Sequence, residues 1–508
     1  MNLYLKPMSL ICWILVISSS VFAQKPKQIE IVNANTFEFD ENVGNKAKRL
    51  LGEVVFKQDN VFMYCDSAYF YSDINSLDAY GRVHIKQGDS INAWGDMLKY
   101  NGNLKQAVLT NNVKLTDGDM ILTTRELYYD TGKNLANYNT PAKIINKENI
   151  LTSDLGYYFA NQKNLFFKKN VVLTNPKYVM NCDTLRYNTS SKTAFFMSPT
   201  KIKGKADYMY AEDGWYDTNH DIAEVHQNSY YESKEKRLKG DHLYYNRKTA
   251  ISIAKENVTL IDTTQKIKVE GTYGEFYEKQ NKAFITGKAL LTQFINKDTL
   301  YLHADTLLAV NDTVKKTKTL YAFHRVKFYM EQMQGMADSL IYGYSDSVIT
   351  MYRNPVLWND DNQILADTIF ITMQKGQFKE LKLRNASFII AELDTNKFNQ
   401  IKGLNMNGYF INNELRKIEV TENGETVYFP EENKGKDYIG LNKAESKHLV
   451  ISIGEKNKVE KISFIKDPDA TLYPLKDARP EDYFLENFIW KDNYRPKFPR
   501  DVFIWGKQ

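Results

Sequence analysis

The feature that most constrains the fold is an internal repeat of about 29 residues, which recurs along most of the chain. Each copy begins with the pattern acidic-x-apolar-x-aromatic, and its first position is acidic in six of the seven most regular copies. These first positions, which follow one another at a nearly constant spacing, are Asp66, Asp96, Arg125, Asp154, Asp183, Glu212 and Asp241. Self-similarity at a fixed period is typical of proteins in which each unit stacks on its neighbours.

Apolar residues within a unit recur at every second position, which indicates β-strands with one buried face. Asp183, Leu185 and Tyr187 share one parity, whereas Thr184 takes the other. Turn-forming segments such as residues 101–103 (NGN) separate the strands. We therefore predict that each unit contributes two antiparallel strands joined by tight turns.

A looser form of the pattern extends the repeat in both directions, from Asn35 to Tyr409, and gives about thirteen units. A lone hairpin cannot bury its apolar face, whereas each added unit covers the edge of its neighbour and lengthens one apolar interior. We predict an all-β chain folded as a stacked antiparallel meander.

The N-terminal stretch, residues 1–23, has the anatomy of a secretory signal peptide. Lys6 precedes an apolar run from Leu10 to Ile17, and small residues lead to a predicted cleavage after Ala23. The alternative is an uncleaved anchor helix, but the run is well short of the roughly 20 residues that span a bilayer. We expect an exported protein of the periplasm or the exterior.

Net charge and composition exclude other classes of partner. The formal net charge is +5, with 25% charged residues and no block of basic residues, so a nucleic-acid backbone is not expected as a ligand. The seven histidines make no ligand-spaced set, and no phosphate loop or nucleophile elbow occurs. We predict no metal, no cofactor, no catalytic residues and no enzymatic activity.

Two stretches carry a resemblance to a known family. Residues 81–89 (GRVHIKQGD), followed by residues 91–100 (INAWGDMLKY), and the preceding copy at residues 52–71 (GEVVFKQDNVFMYCDSAYFY) resemble the repeat of the LptA/OstA-like family of periplasmic lipopolysaccharide-transport proteins. The resemblance covers residues 29–265 well and residues 266–437 weakly. The chain is similar to a long OstA-like member of that family.

The resemblance implies an elongated, open-ended β-jellyroll of folded-over antiparallel strands. Such proteins shelter the acyl chains of lipopolysaccharide in their interior, and they join end to end with jellyroll partners or with copies of themselves between the two membranes. The implied function is a non-enzymatic lipid-carrying bridge or chaperone for transport across the periplasm to the outer membrane. A solid β-solenoid acting as a scaffold or adhesin without lipid cargo remains the main alternative, and a carbohydrate-active solenoid enzyme is a third.

Strand parity selects the residues that we expect to line the inner groove. These candidate ligand-binding residues are Ile85, Leu98, Leu115, Leu127, Ile144, Leu173, Leu185, Leu243 and Leu260.

The chain divides by regularity into four parts. Residues 1–23 are the signal peptide, residues 24–265 the regular repeats, residues 266–437 an irregular continuation, and residues 438–508 C-terminal strands with a Pro- and aromatic-rich end. We expect that end to cap the final strand edge, because bare edges invite aggregation. A docking surface for a partner is the alternative.

Overall fold

The structure is a computed structural model, which describes residues 27–39, 47–295, 298–431, 438–454 and 459–505. The predicted signal peptide, residues 1–23, and its cleavage after Ala23 lie outside the described residues. Among the described residues, no helix is long and apolar enough to cross a membrane.

The described part of the chain is all-β, with only short 3₁₀ turns besides its strands. It forms two compact units: the first consists of the described residues within Met1–Lys147 and Asp154–Lys163, and the second of those within Glu148–Ser153 and Asn164–Gln508. The strands of the first unit are β1 (Glu30–Asn33), β2 (Thr36–Phe39), β3 (Lys48–Gln58), β4 (Val61–Tyr71), β5 (Ser76–Gln87), β6 (Ile91–Asn101), β7 (Gln106–Asp117), β8 (Met120–Asp130), β9 (Leu135–Tyr138), β10 (Ala142–Asn146) and β12 (Leu155–Phe159).

The second unit contains β11 (Asn149–Ser153), β13 (Asn164–Asn175), β14 (Tyr178–Asn188), β15 (Thr193–Phe196), β16 (Thr200–Gly204), β17 (Asp207–Ala211), β18 (Asp213–Asp217), β19 (Ile222–His226), β20 (Tyr230–Ser233), β21 (Lys236–Lys239), β22 (His242–Asn246), β23 (Ile251–Asp262), β24 (Ile267–Tyr277), β25 (Lys282–Ile295), β26 (Asp298–Asp312), β27 (Thr317–Tyr329), β28 (Met333–Gly343), β29 (Val348–Tyr352), β30 (Val356–Asn359), β31 (Asn362–Leu365), β32 (Thr368–Gln374), β33 (Gln377–Asp394), β34 (Lys397–Ile411), β35 (Glu414–Tyr428), β36 (Leu441–Ile453), β37 (Val459–Ile465) and β38 (Asp469–Tyr473).

Most long strands pair antiparallel with strands adjacent to them in the sequence, and most of these long pairs are interrupted by one β-bulge. In the β5–β6 pair the register shifts between Tyr80 and Val83, so that Gly81 and Arg82 together oppose one residue of β6. A bulge bends the strand that contains it, and repeated bends fold the meander over on itself. We call these bends the corners.

Two consecutive residues with positive φ mark the corners in both units. These pairs are Gly52–Glu53, Gly81–Arg82, Asn111–Asn112, Lys169–Asn170, Gln227–Asn228, Glu256–Asn257, Gly287–Lys288, His324–Arg325, Arg353–Asn354, Asn385–Ala386, Glu422–Asn423 and Lys466–Asp467. Gly81 is required at its position, because its φ is +74° and a Cβ there would lie 2.5 Å from an Asp66 carboxylate oxygen.

The acidic first position of the repeat fastens these corners. The Asp66 carboxylate accepts a hydrogen bond of 2.9 Å from Arg82 Nε, sixteen residues later. The same separation joins Asp96 to Asn112 Nδ2 at 2.7 Å and Asp241 to Asn257 Nδ2 at 2.6 Å. The hydrogen bond from Arg82 also lowers the pKa of Asp66. The acidic column of the sequence is therefore a structural feature of the corners.

The Pro- and aromatic-rich stretch near the C-terminus lies against strands of the second unit. Residues 474–505, which we call the C-terminal segment, contain no strand and only short 3₁₀ turns. The segment packs along strands β26 to β36, as the contact of Phe503 with His303 (ring centroids 4.5 Å apart) and the hydrogen bond from Gln400 Nε2 to Tyr483 O (2.7 Å) show. In the last strand, residues 469–472 stay exposed.

Candidate functional site

The nine residues predicted for the inner groove occupy interior positions of the strands, with one difference in burial. Eight of them are at most 2% exposed, namely Ile85, Leu98, Leu115, Leu127, Ile144, Leu173, Leu185 and Leu243. Leu260 is only half-buried. Successive residues of a strand point to opposite faces, so the period of two in the sequence accounts for these positions.

In the first unit, hydrogen bonds across the interior join residues that lie at the ends of different strands. Tyr100 Oη donates to Gln58 Oε1 at 2.5 Å across 42 residues of sequence, and Tyr129 Oη donates to Gln87 Oε1 at 2.5 Å across another 42. The amide of Gln87 donates in turn to Thr131 O at 2.8 Å. All four side chains of these two pairs are buried. We call this column of tyrosines and buried polar partners the polar seam.

Asp117 carries the seam through the next unit of the repeat. Tyr158 Oη donates to Asp117 Oδ2 at 2.6 Å, and Lys163 Nζ donates to both carboxylate oxygens at 2.6 and 2.7 Å. Burial acts to raise the pKa of Asp117, but the hydrogen bonds from Lys163 and Tyr158 outweigh it and the pKa is lowered. The carboxylate is therefore charged, and at this point the polar seam contains an ion pair as well as hydrogen bonds.

A comparable set of buried polar groups begins the second unit. Asn149 Nδ2 donates to Tyr187 Oη at 3.0 Å and to Thr218 Oγ1 at 2.8 Å. Farther along, Arg247 Nη1 lies 2.8 Å from Asp207 Oδ2. Burial raises the pKa of Tyr216, beside Arg247, to about 12. These groups keep the region polar inside, although Arg247 Nε and Asp207 Oδ1 have no hydrogen-bond partner among the described residues.

An apolar cavity of about 30 Å³ replaces the polar seam later in the second unit. Its lining is Ile295, Leu300, Leu302, Phe328, Met330, Met333, Leu340, Tyr342, Ile349, Ile371, Met373 and Phe378. Ile295 ends β25, as Gln58 ends β3 and Gln87 ends β5. Tyr342 is the next-to-last residue of its strand, as Tyr100 is. These strand-end positions therefore carry hydrogen-bonded polar side chains in the first unit but mostly apolar side chains around the cavity.

Sequence reasoning did not find the polar seam or the cavity. A signal for the seam was present, because Gln58, Gln87, Asp117, Asn146 and Asn175 recur with the period of the repeat, each at the end of a strand. These residues precede turns, and polar residues are common in turns, so their recurrence alone indicates only turns. The tyrosines that face them are visible only in the structure. For the cavity, only the loss of this column after Asp262, which ends β23, offered a hint.

Stacked antiparallel strands that fold over an apolar interior define a jellyroll-like class of all-β protein. Residues 26–183 match the family model described as OstA-like protein. Residues 268–377 match the model described as LptA/(LptD N-terminal domain) LPS transport protein. The predicted resemblance to the OstA/LptA-like family of lipopolysaccharide-transport proteins is therefore confirmed. The second model describes a transport protein, in agreement with the prediction that this chain is not an enzyme.

The apolar cavity falls almost entirely within the second matched segment, since only Phe378 of its lining lies beyond residue 377. No curated protein matches the chain. Among solved structures, the chain is similar to the crystal structure of LptH, described as the LptA homologous periplasmic component of the conserved lipopolysaccharide transport device from Pseudomonas aeruginosa. That match has 15% identity and a TM-score of 0.19, and it covers 21% of this chain and 74% of that chain.

Proposed function

We propose that the protein is a non-enzymatic carrier that shelters the acyl chains of lipopolysaccharide during transport across the periplasm to the outer membrane. The observation that carries the proposal is the match of residues 268–377 to a lipopolysaccharide-transport model, with an apolar cavity inside that segment. Eleven of the twelve lining side chains contain no oxygen or nitrogen. Such a surface suits a hydrocarbon chain and offers little to a polar ligand.

The size of the cavity means that lipid uptake requires the strands to separate. Small-molecule sites usually enclose about 300–1,000 Å³, whereas this cavity holds about 30 Å³. Separation is cheapest where apolar side chains meet across the interior. Opening the polar seam would instead break buried hydrogen bonds such as Tyr129–Gln87, at about 1 kcal/mol each or more.

We therefore place the first contact with an acyl chain at the apolar cavity, beside Met330 and Met333. Methionine side chains suit this role because they are flexible and adapt to irregular apolar partners. The interior column that includes Leu173, Leu185, Leu243 and Leu260 then extends the sheltered path in the second unit.

The partners in this proposal are lipopolysaccharide and a second jellyroll joined end to end. Among the residues that the structure describes, β1 and β2 each pair with β3 alone, and their exposed apolar residues include Val32 and Phe37, each 54% exposed. An exposed strand edge with apolar side chains is a template for pairing with another chain. Export by a cleaved signal peptide to the periplasm completes the proposal.

A solid scaffold or adhesin remains the second candidate, and the packing of the first unit favours it. Leu109, Leu115 and Leu122 are each fully buried, so they leave no accessible surface for a ligand. Under that reading the small cavity is a packing defect and the chain carries no lipid.

Photo-crosslinking separates the two candidates. A photoreactive phenylalanine derivative replaces Met333 in the full-length protein, expressed in cells that make lipopolysaccharide, and the crosslinked product is identified with a lipopolysaccharide antibody and by mass spectrometry. We expect a lipopolysaccharide adduct at Met333. The matched control is Val314 in a turn of the same unit, which is 91% exposed and should give none.

The absence of lipid at Met333 in a folded protein, together with an organic extract of the purified wild type that contains no lipopolysaccharide, would contradict the carrier proposal and favour the scaffold. Equal labelling at Met333 and Val314 would indicate surface adsorption and would also count against it.

A further inference from the structure

The C-terminal segment occupies the face of the second unit that points away from the apolar cavity. Leu302 lines the cavity, whereas the next residue, His303, contacts Phe503 with ring centroids 4.5 Å apart. Phe328 lines the cavity, whereas its neighbour Lys327 donates a hydrogen bond to Ile504 O. Since neighbouring residues of a strand point to opposite faces, the segment lies on the outside of these strands.

Two buried glutamines bind the main chain of the segment with the same geometry. Gln400 Nε2 donates to Tyr483 O at 2.7 Å, and Gln400 Oε1 accepts from Leu485 N at 2.8 Å. Gln363 Nε2 donates to Ile489 O at 2.7 Å, and its Oε1 accepts from Lys491 N at 2.6 Å. Each side-chain amide thus pairs with the carbonyl of one residue and the N–H of the residue two positions later, as a neighbouring strand would.

Two more polar groups on the same face hold the later part of the segment. Gln334 Oε1 accepts from Arg495 Nε at 2.8 Å. Lys327, only 1% exposed, has its Nζ 5.1 Å from the centroid of the Trp505 ring in addition to its bond to Ile504 O. Burial lowers the pKa of this lysine to about 8. A lysine is seldom placed in such a site unless a partner compensates it.

Apolar anchors fill pockets between the polar contacts. Leu485 is 4% exposed and belongs to a cluster with Phe388, Val427 and Leu441 on strands β33 to β36. Near the other end, Val502 is completely buried. The groove that holds the segment therefore combines main-chain recognition with apolar pockets, which is how extended peptides are bound.

We propose that this face is a peptide-docking groove, that residues 479–505 are its ligand supplied in cis, and that the groove also accepts the same segment from a second copy of the chain. Gln363 and Gln400 are 0% and 1% exposed, and their partners across the interface belong to the segment. Without an occupant, water would solvate these amides, but the apolar side chains beside them, Ile390 and Phe398, would lose their cover, a costly arrangement. The groove therefore requires a peptide at all times, while main-chain recognition leaves open which copy provides it.

Competition with a labelled peptide tests the proposal. A fluorescent synthetic peptide of residues 479–505 is added to the full-length chain, and binding is followed by anisotropy. The wild type should bind weakly, because its own segment fills the groove. Leu485→Asp in the full-length chain should weaken the resident segment and increase peptide affinity at least tenfold, and the further changes Gln363→Leu and Gln400→Leu should abolish that gain. The control is Phe498→Asp, at a position that is 69% exposed, which should behave as wild type.

Failure of the folded Leu485→Asp chain to capture the peptide would overturn the proposal, as would capture that survives the two glutamine changes. Should Leu485→Asp unfold the chain, a protease site inserted between Leu475 and Ala478 of the otherwise unchanged protein provides the second measurement. After cleavage the segment should stay bound and exchange with the labelled peptide. Loss of the β-sheet signal on cleavage, or a bound segment that never exchanges, would show that the segment is an integral part of the fold.

Discussion

The first unit and the later part of the second unit join their strand ends across the interior with different kinds of side chain. Both fold antiparallel strands over an apolar interior, and both bring strand ends together across it. In the first unit this junction consists of buried amides, tyrosines and the Asp117–Lys163 ion pair. Between residues 295 and 378 it consists of methionines and other apolar side chains around a cavity.

The difference shows how one repeat can provide both rigidity and adaptability. Buried hydrogen bonds are directional and leave unsatisfied groups when broken, so they hold a junction in one arrangement. Apolar side chains exchange partners at little cost, provided that they stay out of water. We therefore expect the first unit to resist opening and the cavity region to permit it.

The largest expected effect is that of a charge placed in the interior of the first unit. Leu115→Asp buries a carboxylate without a partner at a position that is completely buried, which should destabilise the unit by several kcal/mol. Thermal unfolding monitored by circular dichroism measures the loss. Thr116→Asp, one residue away and on the other face, is the control and should cost less than about 1 kcal/mol. Equal melting temperatures for the two variants would mean that the interior of the first unit is wet.

A smaller effect is expected for the polar seam. Gln87→Leu leaves Tyr129 Oη and Thr131 O without their partner, and should cost about 1–3 kcal/mol. Adding Tyr129→Phe should restore part of the loss, because one of the unpaired groups is then removed. A double-mutant cycle from urea unfolding gives the coupling energy. Additive effects of the two substitutions would show that the Gln87–Tyr129 hydrogen bond contributes nothing to the stability of the first unit.

Acid should weaken the seam through Asp117. Its pKa is lower in the folded state, so its contribution to stability is complete above the unfolded value of about 3.9 and is lost as the pH falls through the folded value. Unfolding titrations from about pH 5 to about pH 2, the range where carboxylates titrate, should show less pH dependence for Asp117→Asn than for the wild type. Glu126→Gln, on the outer face of β8, serves as the control. Identical slopes for Asp117→Asn and the wild type would contradict this assignment.

The smallest effect on stability is expected for filling the cavity. Leu340→Phe adds volume beside a void of about 30 Å³, and should change the free energy of unfolding by about 1 kcal/mol or less. If acyl chains first bind there, crosslinking of lipopolysaccharide at Met333 should nevertheless fall severalfold. Leu109→Phe, in the tightly packed interior of the first unit, should instead cost stability. Unchanged crosslinking in Leu340→Phe would place lipid contact elsewhere.

Most of the local structure was open to prediction because it depends on contacts within one repeat or between two neighbouring repeats. The alternation around Leu185 identified strands and their buried parity, and the long period of the repeat identified the stack. The corners could have been located more closely, since Asp66 and Arg82 recur as Asp96 and Asn112 at the same separation. What was missed there is a side-chain bond between neighbouring strands, which a repeat alone does not specify.

By itself, the sequence determined the all-β character, the interior parity and the family resemblance, because the alternation within a strand and the period of the repeat are properties of neighbouring residues and neighbouring units. Only the tertiary structure decided which residues meet across the interior. Tyr129 binds Gln87 from 42 residues away, and Gln363 binds a main chain 126 and 128 residues later. Such partners are chosen by how the meander folds over and where its end returns, and no short-range pattern encodes either.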